Sequence, residues 1–381
     1  MRHAVLASLL LPLAACAQPG SSGDAAGCVP PDAAFSAAGW QTDFCTAAVP
    51  LSEIRSGGPP RDGIPPLDDP TFEAASAVDW LRDEEPVLYL SHRGDARAYP
   101  IQVLMWHEIV NDHVGGAPVG VTFCPLCNAA VAFVRPEVEG DTLTFGTSGN
   151  LRMSDLVMWD RQTESWWQQV TGEAIVGELT GTQLELLPAS IVSWAAFRER
   201  HPEAPVLSRE TGFDRPYGQN PYAGYDDVDA SPFLYDGPHD GRLRPMDRVV
   251  GVATGGDAVA YAFDVLREER AANDTVGGEP LAVLWAPGTA SALDEGTVAG
   301  GRDVGAVGVF RRTLGGRTLT FEPAGDGRFR DVETGSTWTV LGAAVDGPLR
   351  GEALDAVPHH AVFWFVWAAF QPEGTLYTST D

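Results

Sequence analysis

The stretch GDARAYPIQVLMWHEIVNDHVGGAPVGVTFCP, residues 94–125, decides the fold because the chain contains a second copy of it. Residues 256–287 read GDAVAYAFDVLREERAANDTVGGEPLAVLWAP, at a constant offset of 162 positions. Glycine, aspartate, tyrosine, asparagine and proline recur in place along the two stretches. An internal match of this length indicates a duplicated structural unit.

The differences between the copies point to the functional residues. Side chains present in both copies are expected to serve the scaffold, and those present in one copy are candidates for chemistry. His107 is matched by Glu269, Cys124 by Ala286 and Cys127 by Thr289. The first copy therefore carries a histidine and a Cys-Pro-Leu-Cys motif that the second copy lacks.

The duplication extends past these two stretches. We match Arg135 with Arg311, Asp160 to Trp167 with Asp331 to Trp338, and the Trp-Ala-Ala-Phe strings that begin at Trp194 and Trp367. The predicted organisation is a signal peptide (1–15), a lipid-anchored tether with a small disulfide segment (16–75), a first repeat carrying the site (76–205), an inter-repeat loop (206–250) and a second, degenerate repeat (251–381).

The amino terminus is typical of an exported protein. A positive start at Arg2 is followed by the apolar run 4–15 and then by Cys16. This apolar run is too short to span a bilayer, and small residues before a cysteine resemble a lipoprotein signal, so we expect lipidation at Cys16. An ordinary signal peptide is the alternative. The expected location is the cell envelope, at the outer membrane or cell surface.

Composition limits the partners. A formal net charge of −27 argues against nucleic acid or anionic membranes as binding partners, because phosphate contacts need a basic face. The lipid anchor is then the expected membrane contact, and the small-molecule or protein partner is open. Cys28 and Cys45 flank a short segment and are predicted to form a disulfide in an oxidising compartment.

The patterns within one copy predict an α+β fold. Pro100 suits the first turn of a helix, whose apolar face would hold Ile101, Leu104 and Ile109, and Gly115-Gly116 would end it. Strands are predicted at 87–90, 119–123, 129–134, 142–145, 156–159 and 165–169, and a helix at 191–200. We therefore expect two tandem copies of a mainly antiparallel strand–helix module, packed as a pseudo-twofold pair.

The spacing of Cys124 and Cys127 suits two chemistries. Two thiolates at Cys-x-x-Cys can form half of a tetrahedral metal site, or they can cycle between a dithiol and a disulfide. A static disulfide is a third reading. On a helical wheel His107 lies off the apolar stripe, which makes it a candidate imidazole ligand rather than a simple core residue.

Further candidates lie beside the cysteines in the chain. The first copy has 15 residues from Phe145 to Asp160, whereas the second has 10 from Phe321 to Asp331. This insertion is expected to help build the pocket. Met153 and Asp155 within it, together with Glu108, are possible additional site residues, and a methionine thioether would suit copper(I).

Five strings carry a resemblance to a known family: WHEIVND (106–112), TFCPLCN (122–128), LTFGTSGNL (143–151), SDLVMWDRQT (154–163) and RPYGQNPY (215–222). They resemble a bacterial domain-of-unknown-function family whose members show AYP, HEIVND, CPLC, FG-SG and SDLVM-DR motifs. His107, Glu108, Cys124 and Cys127 match that pattern. The resemblance implies no established activity.

The leading hypothesis is an extracytoplasmic lipoprotein whose first copy binds copper or zinc through His107, Cys124 and Cys127. Met153, water or a substrate would occupy the fourth position. One alternative is a thiol–disulfide oxidoreductase in which His107 tunes the thiolate. Another is a non-catalytic surface module that binds a small ligand or glycan through tryptophan and tyrosine. Whether the protein is an enzyme is open at this stage.

Overall fold

The computed structural model describes residues 25–379, and Cys16 with the predicted signal peptide lies outside this range. Up to the end of the first copy the strands are β1 (Ile54–Ser56), β2 (Phe72–Ala74), β3 (Pro86–His92), β4 (Asp95–Pro100), β5 (Ile109–Val114), β6 (Ala117–Cys124), β7 (Ala129–Val134), β8 (Glu137–Val138), β9 (Asp141–Thr142), β10 (Phe145–Arg152), β11 (Asp155–Asp160), β12 (Trp166–Gln168), β13 (Ala174–Val176), β14 (Glu185–Leu187), β15 (Ala189–Ser193) and β16 (Pro205–Leu207).

In the second copy the strands are β17 (Arg248–Thr254), β18 (Asp257–Ala262), β19 (Ala271–Val276), β20 (Glu279–Ala286), β21 (Ala306–Arg311), β22 (Thr313–Leu314), β23 (Arg317–Thr318), β24 (Phe321–Pro323), β25 (Phe329–Asp331), β26 (Thr337–Trp338), β27 (Ala344–Asp346), β28 (His360–Phe363) and β29 (Thr375–Leu376). The α-helices are α1 (Ile101–His107), α2 (Trp194–Arg200), α3 (Phe263–Glu269) and α4 (Trp364–Phe370). Short 3₁₀ turns occupy Ala25–Cys28, Leu51–Glu53, Ala75–Ala77 and Val298–Gly300.

The architecture is β-rich, so the predicted α+β class of strand–helix modules is wrong. Strands account for 40% of the described residues, and α-helices together with 3₁₀ turns for 11%. Each α-helix has only seven residues, about two turns, and caps the end of a sheet. The helices are therefore short connections between strands of antiparallel sheets, and they do not form a layer of their own.

The error arises at the segment that follows α1. The predicted helix runs to Gly115, but α1 ends at His107, and residues 109–114 form a strand that pairs antiparallel with β6. Gly115 and Gly116 both have positive φ, 55° and 75°, which is the backbone of a type I′ hairpin turn. Two glycines in this conformation join β5 to β6, and pairing with β6 overrides the helical spacing of Ile109.

The duplication is visible strand by strand. The sheet β15-β3-β4-β16-β2 of the first copy corresponds to β28-β17-β18-β29 in the second. The sheet β14-β7-β6-β5 corresponds to β21-β20-β19, and β10-β11-β12-β13 corresponds to β24-β25-β26-β27. Matched polar contacts recur as well: Asn111 bridges the backbone of Phe145 as Asn273 bridges that of Phe321.

Two of the sequence matches between the copies are displaced. The counterpart of Arg135 is Arg312 rather than Arg311, because Arg135 donates to the carbonyl of Leu143 and Arg312 to that of Leu319. The counterpart of Trp194 is Trp364 rather than Trp367. Each of these two tryptophans begins a helix after the edge strand that pairs with the first strand of its own copy.

The two copies share their cores. Trp194 and Phe197 of α2 pack in one cluster with Phe310 and Trp338 of the second copy. Conversely, α4 packs in the cluster that contains α1 and the strands of the first copy, Cys124 and Cys127 included. Because the helices are exchanged between the cores, the site of the first copy is supported by residues of both.

Residues before the first copy pack against it. Strand β1 pairs with β10, and Phe35 and Phe44 contact Trp166 edge-on. Cys28 and Cys45 form a disulfide. No helix within residues 25–379 has both the length and the apolar character needed to cross a bilayer. The exact domain boundaries stay a prediction.

Candidate metal centre

The Cys-Pro-Leu-Cys motif forms a tight turn at the end of β6. Cys124 is the last residue of that strand, and the amide of Cys127 donates to its carbonyl at 3.3 Å. The carbonyl of Cys127 in turn accepts from the amide of Phe363, which belongs to the second copy. Both thiols are free and buried, with 2% and 0% of each residue exposed. The turn is therefore held from two sides with both sulfurs inside the protein.

Asp155 joins the two cysteines to form a compact cluster. One ligand atom from each of Cys124, Cys127 and Asp155 lies within 4.8 Å of the others. The Asp155 carboxylate is fully buried, and its Oδ2 accepts from Gln168 at 2.6 Å and from the amide of Val170 at 3.0 Å. Its Oδ1 is also buried and accepts no well-formed hydrogen bond. One carboxylate oxygen is thus left for another partner.

The insertion of the first copy brings Asp155 to this place. Met153 and Ser154 form the turn between β10 and β11, with φ of 51° and 67°. Consecutive non-glycine residues in this region are strained. The turn directs the carbonyl of Ser154 toward the thiols, and Cys127 Sγ donates to it at 3.5 Å. The second copy lacks this longer hairpin, so the strained backbone at Met153 and Ser154 belongs to the site and is not part of the scaffold that both copies share.

The buried acids and thiols have altered proton affinities. Burial raises the pKa of Asp155 to about 6, although the hydrogen bonds from Gln168 and Val170 oppose the shift. Burial, helped by the Asp155 charge, raises the pKa of Glu108 to about 8. Burial also raises the pKa of Cys124 and, more strongly, that of Cys127. Each of these groups resists ionisation because burial removes the water that would stabilise the charged form.

His107 is not part of this cluster. Its Nδ1 donates to the carbonyl of Pro65 at 2.7 Å, and its Nε2 accepts from the hydroxyl of Tyr217 at 2.6 Å. Burial lowers the pKa of His107, which suits the neutral form that this pairing requires. Both ring nitrogens are occupied, so in this structure His107 anchors the inter-repeat loop through Tyr217 instead of sharing a site with the thiols.

Glu108 owes its position to the end of α1. It is the C-cap residue, with φ 56° and ψ −31°, and the matched Arg270 at the end of α3 has nearly the same backbone, φ 67° and ψ −36°. Because both copies share the strained backbone, that strain belongs to the scaffold. The side chains differ, and only the first copy buries a carboxyl there.

The inter-repeat loop covers the site. Burial raises the pKa of Tyr222 and of Tyr225, and both phenols lie close enough to Cys124 that a charge on that thiol would raise it further. The loop is fixed to the second copy by Asp226, whose buried carboxylate pairs with Arg248 at 2.7 Å and Arg302 at 2.9 Å. The segment is therefore an ordered cover over the first copy, held in place by the second.

Beneath this cover lies a cavity of about 520 Å³. It is lined largely by apolar groups from the segment before the first copy, from the inserted hairpin and from the loop, and Glu108 is its acidic residue. The sequence supplied Cys124, Cys127, Asp155 and Glu108 as candidates. It gave no signal for the separation of His107 from them, because Tyr217 lies 110 positions away.

The comparisons with known proteins agree with the resemblance seen in the sequence. Residues 61–374 match the family described as "Protein of unknown function (DUF3179)". The chain belongs to this family. No curated protein and no solved structure matches the chain. The family name assigns no activity, so function has to be argued from the site.

Proposed function

We propose that this protein binds a single soft or borderline metal ion, with zinc(II) as the preferred ion, through Cys124, Cys127 and Asp155. The observation that carries the proposal is the cluster itself: two thiols and a carboxylate, all buried, with their ligand atoms within 4.8 Å of one another. Sulfur and carboxylate oxygen are both ordinary zinc ligands. The donor set replaces the predicted His107 with Asp155.

Charge supports the same proposal. Ionised, the two thiols and the carboxylate would place three negative charges in a buried site, which is very costly without a counter-ion. A divalent cation offsets that charge and displaces the thiol protons on binding. The unused Asp155 Oδ1 provides an oxygen ligand, which favours zinc(II) over copper(I), an ion that prefers sulfur.

Metal content of the purified protein tests the proposal. We expect about one equivalent of zinc per chain by elemental analysis, and loss of at least 90% of it in Cys124→Ser and in Asp155→Asn. His107→Gln is the matched control, because His107 is also buried and was predicted as a ligand, but it does not belong to the cluster. It should retain the metal.

Equal metal contents in the wild type, Cys124→Ser and Asp155→Asn would remove the proposal. If the analysis finds copper instead of zinc, the proposed site stands and the identity of the ion changes to copper. Loss of metal in His107→Gln with an unchanged melting temperature would return His107 to the ligand set.

A second candidate, dithiol–disulfide exchange, is supported by the contact between the Asp155 carboxylate and the Cys127 thiol. The Asp155 carboxylate is placed to accept the proton of the Cys127 thiol as that thiol reacts. The thiolate would attack a substrate disulfide, forming a mixed disulfide with one substrate sulfur and releasing the other as a thiol. The second cysteine would then attack the protein sulfur of the mixed disulfide, release the remaining substrate thiol and close the Cys124–Cys127 disulfide.

Thiol alkylation separates the two candidates. If zinc is bound, both cysteines of the folded protein should resist maleimide until a strong chelator is added. If the pair is redox-active, resistance should instead depend on the glutathione ratio and be reversed by reduction alone. If maleimide labelling of the folded protein changes with neither chelator nor reductant, the pair is neither a zinc site nor redox-active.

Export and lipid anchoring remain part of the proposal. They are supported by the amino-terminal pattern up to Cys16 and by the Cys28–Cys45 disulfide, a bond typical of oxidising compartments. Expression with an isotope-labelled fatty acid tests this. The wild type should carry label in the membrane fraction, and Cys16→Ser should not; equal labelling of the two would exclude Cys16 as the anchor.

A further inference from the structure

The cavity beneath the inter-repeat loop has the features of a binding site separate from the metal cluster. Its volume of about 520 Å³ lies within the range of small-molecule pockets. None of the three cluster residues lines it, whereas Glu108 does. The cavity is therefore a neighbour of the cluster, since Leu126 and Leu156 line it and lie next to Cys127 and Asp155 in the chain.

Glu108 is the group that points to a ligand. Its residue is only 7% exposed, and burial and the Asp155 charge act on its carboxyl, with no hydrogen bond from a described residue. A buried carboxyl without a partner is costly, and such groups in native structures call for an explanation. Since this one opens into a cavity, a molecule in that cavity can supply the missing partner.

The surroundings of Glu108 select the charge of that molecule. Within the part of the chain that the structure describes, no arginine or histidine lines the cavity. Three aromatic rings do: Tyr222, Tyr225 and Phe233. Aromatic faces attract cations, and rings combined with a carboxylate form the usual recognition site for organic ammonium groups. An anion in the cavity would meet Glu108, and none of the described residues that line the cavity carries a compensating positive charge.

We propose that this cavity binds a small organic cation, an ammonium group on an apolar body, with Glu108 giving up its proton on binding to become the counter-ion. Tyr222, Tyr225 and Phe233 contact the cationic end, and Ile64, Leu151 and Leu156 contact the apolar body. The site does not depend on the metal, because its contacts come from residues outside the cluster.

Calorimetric titration of the full chain with benzyltrimethylammonium tests the proposal. Neopentylbenzene has the same shape without the charge and is the matched ligand control. We expect the cation to bind at least tenfold more tightly than the neutral compound. Glu108→Gln should weaken cation binding at least tenfold, and Phe233→Leu, a change at a half-exposed ring, should weaken it severalfold.

Glu268→Gln makes the same chemical change on the exposed face of α3 and should leave the affinity unaltered. Cys124→Ser should also still bind the cation, so a failure of the metal proposal would not affect this result. Equal affinity for the charged and neutral compounds would overturn the proposal, as would unchanged binding by a folded Glu108→Gln protein or the absence of any cation binding.

Discussion

Replacing Tyr99 by alanine is expected to lower the free energy of unfolding by about 3–5 kcal/mol, as large-to-small changes of buried aromatics do. Its ring is completely buried, and its hydroxyl donates to Asp112 at 2.6 Å. Asp112 stays paired with Arg97 after the change, so the loss arises mainly from the cavity that the missing ring leaves. Urea unfolding of the metal-free protein measures it.

The duplication supplies a matched test at Tyr261, which is equally buried and donates to Asp274 at 2.7 Å. Tyr261→Ala should cost about as much as Tyr99→Ala, because both rings are completely buried and leave cavities of similar size. Phe233→Ala removes a ring that is 46% exposed and should cost less than about 1 kcal/mol. A small effect at Tyr261 beside a large one at Tyr99 would show that the second copy unfolds independently.

The second large effect is expected at Glu108 and depends on pH. Its pKa in the folded protein is about 8, above the usual value of 4.5. The folded state therefore holds the proton more tightly than the unfolded chain does. The stability associated with this proton is fully present below pH 4.5 and is lost as the pH rises through 8. The full loss is roughly 3–5 kcal/mol at about 1.4 kcal/mol per pKa unit.

Glutamine has no proton to lose, so Glu108→Gln should remove this dependence. In metal-free protein without added ligand, the variant and the wild type should be similarly stable near pH 4.5, and the variant should be clearly more stable at pH 8. Glu268→Gln, on the exposed face of α3, should follow the wild-type curve. Parallel curves for wild type and Glu108→Gln would mean that the carboxyl is solvated rather than buried.

The sequence by itself determined the duplication and several of the residues that form the scaffold of both copies. Residues kept in both copies, such as the Tyr99–Asp112 and Tyr261–Asp274 pairs, make the same contacts in each copy. Some strands were also predicted from the sequence, and β7 has the bounds predicted for it. These features follow from local patterns, which constrain backbone geometry within a few residues.

Only the tertiary structure decided the class of the fold and the composition of the cluster. Ile109 fits the helical spacing of α1, but pairing with β6 across the Gly115-Gly116 turn places residues 109–114 in a strand. Asp155 rather than His107 reaches the thiols, because a strained hairpin brings it there while Pro65 and Tyr217 occupy both imidazole nitrogens. Such contacts join segments far apart in the chain, and their energies depend on burial and geometry that no local pattern encodes.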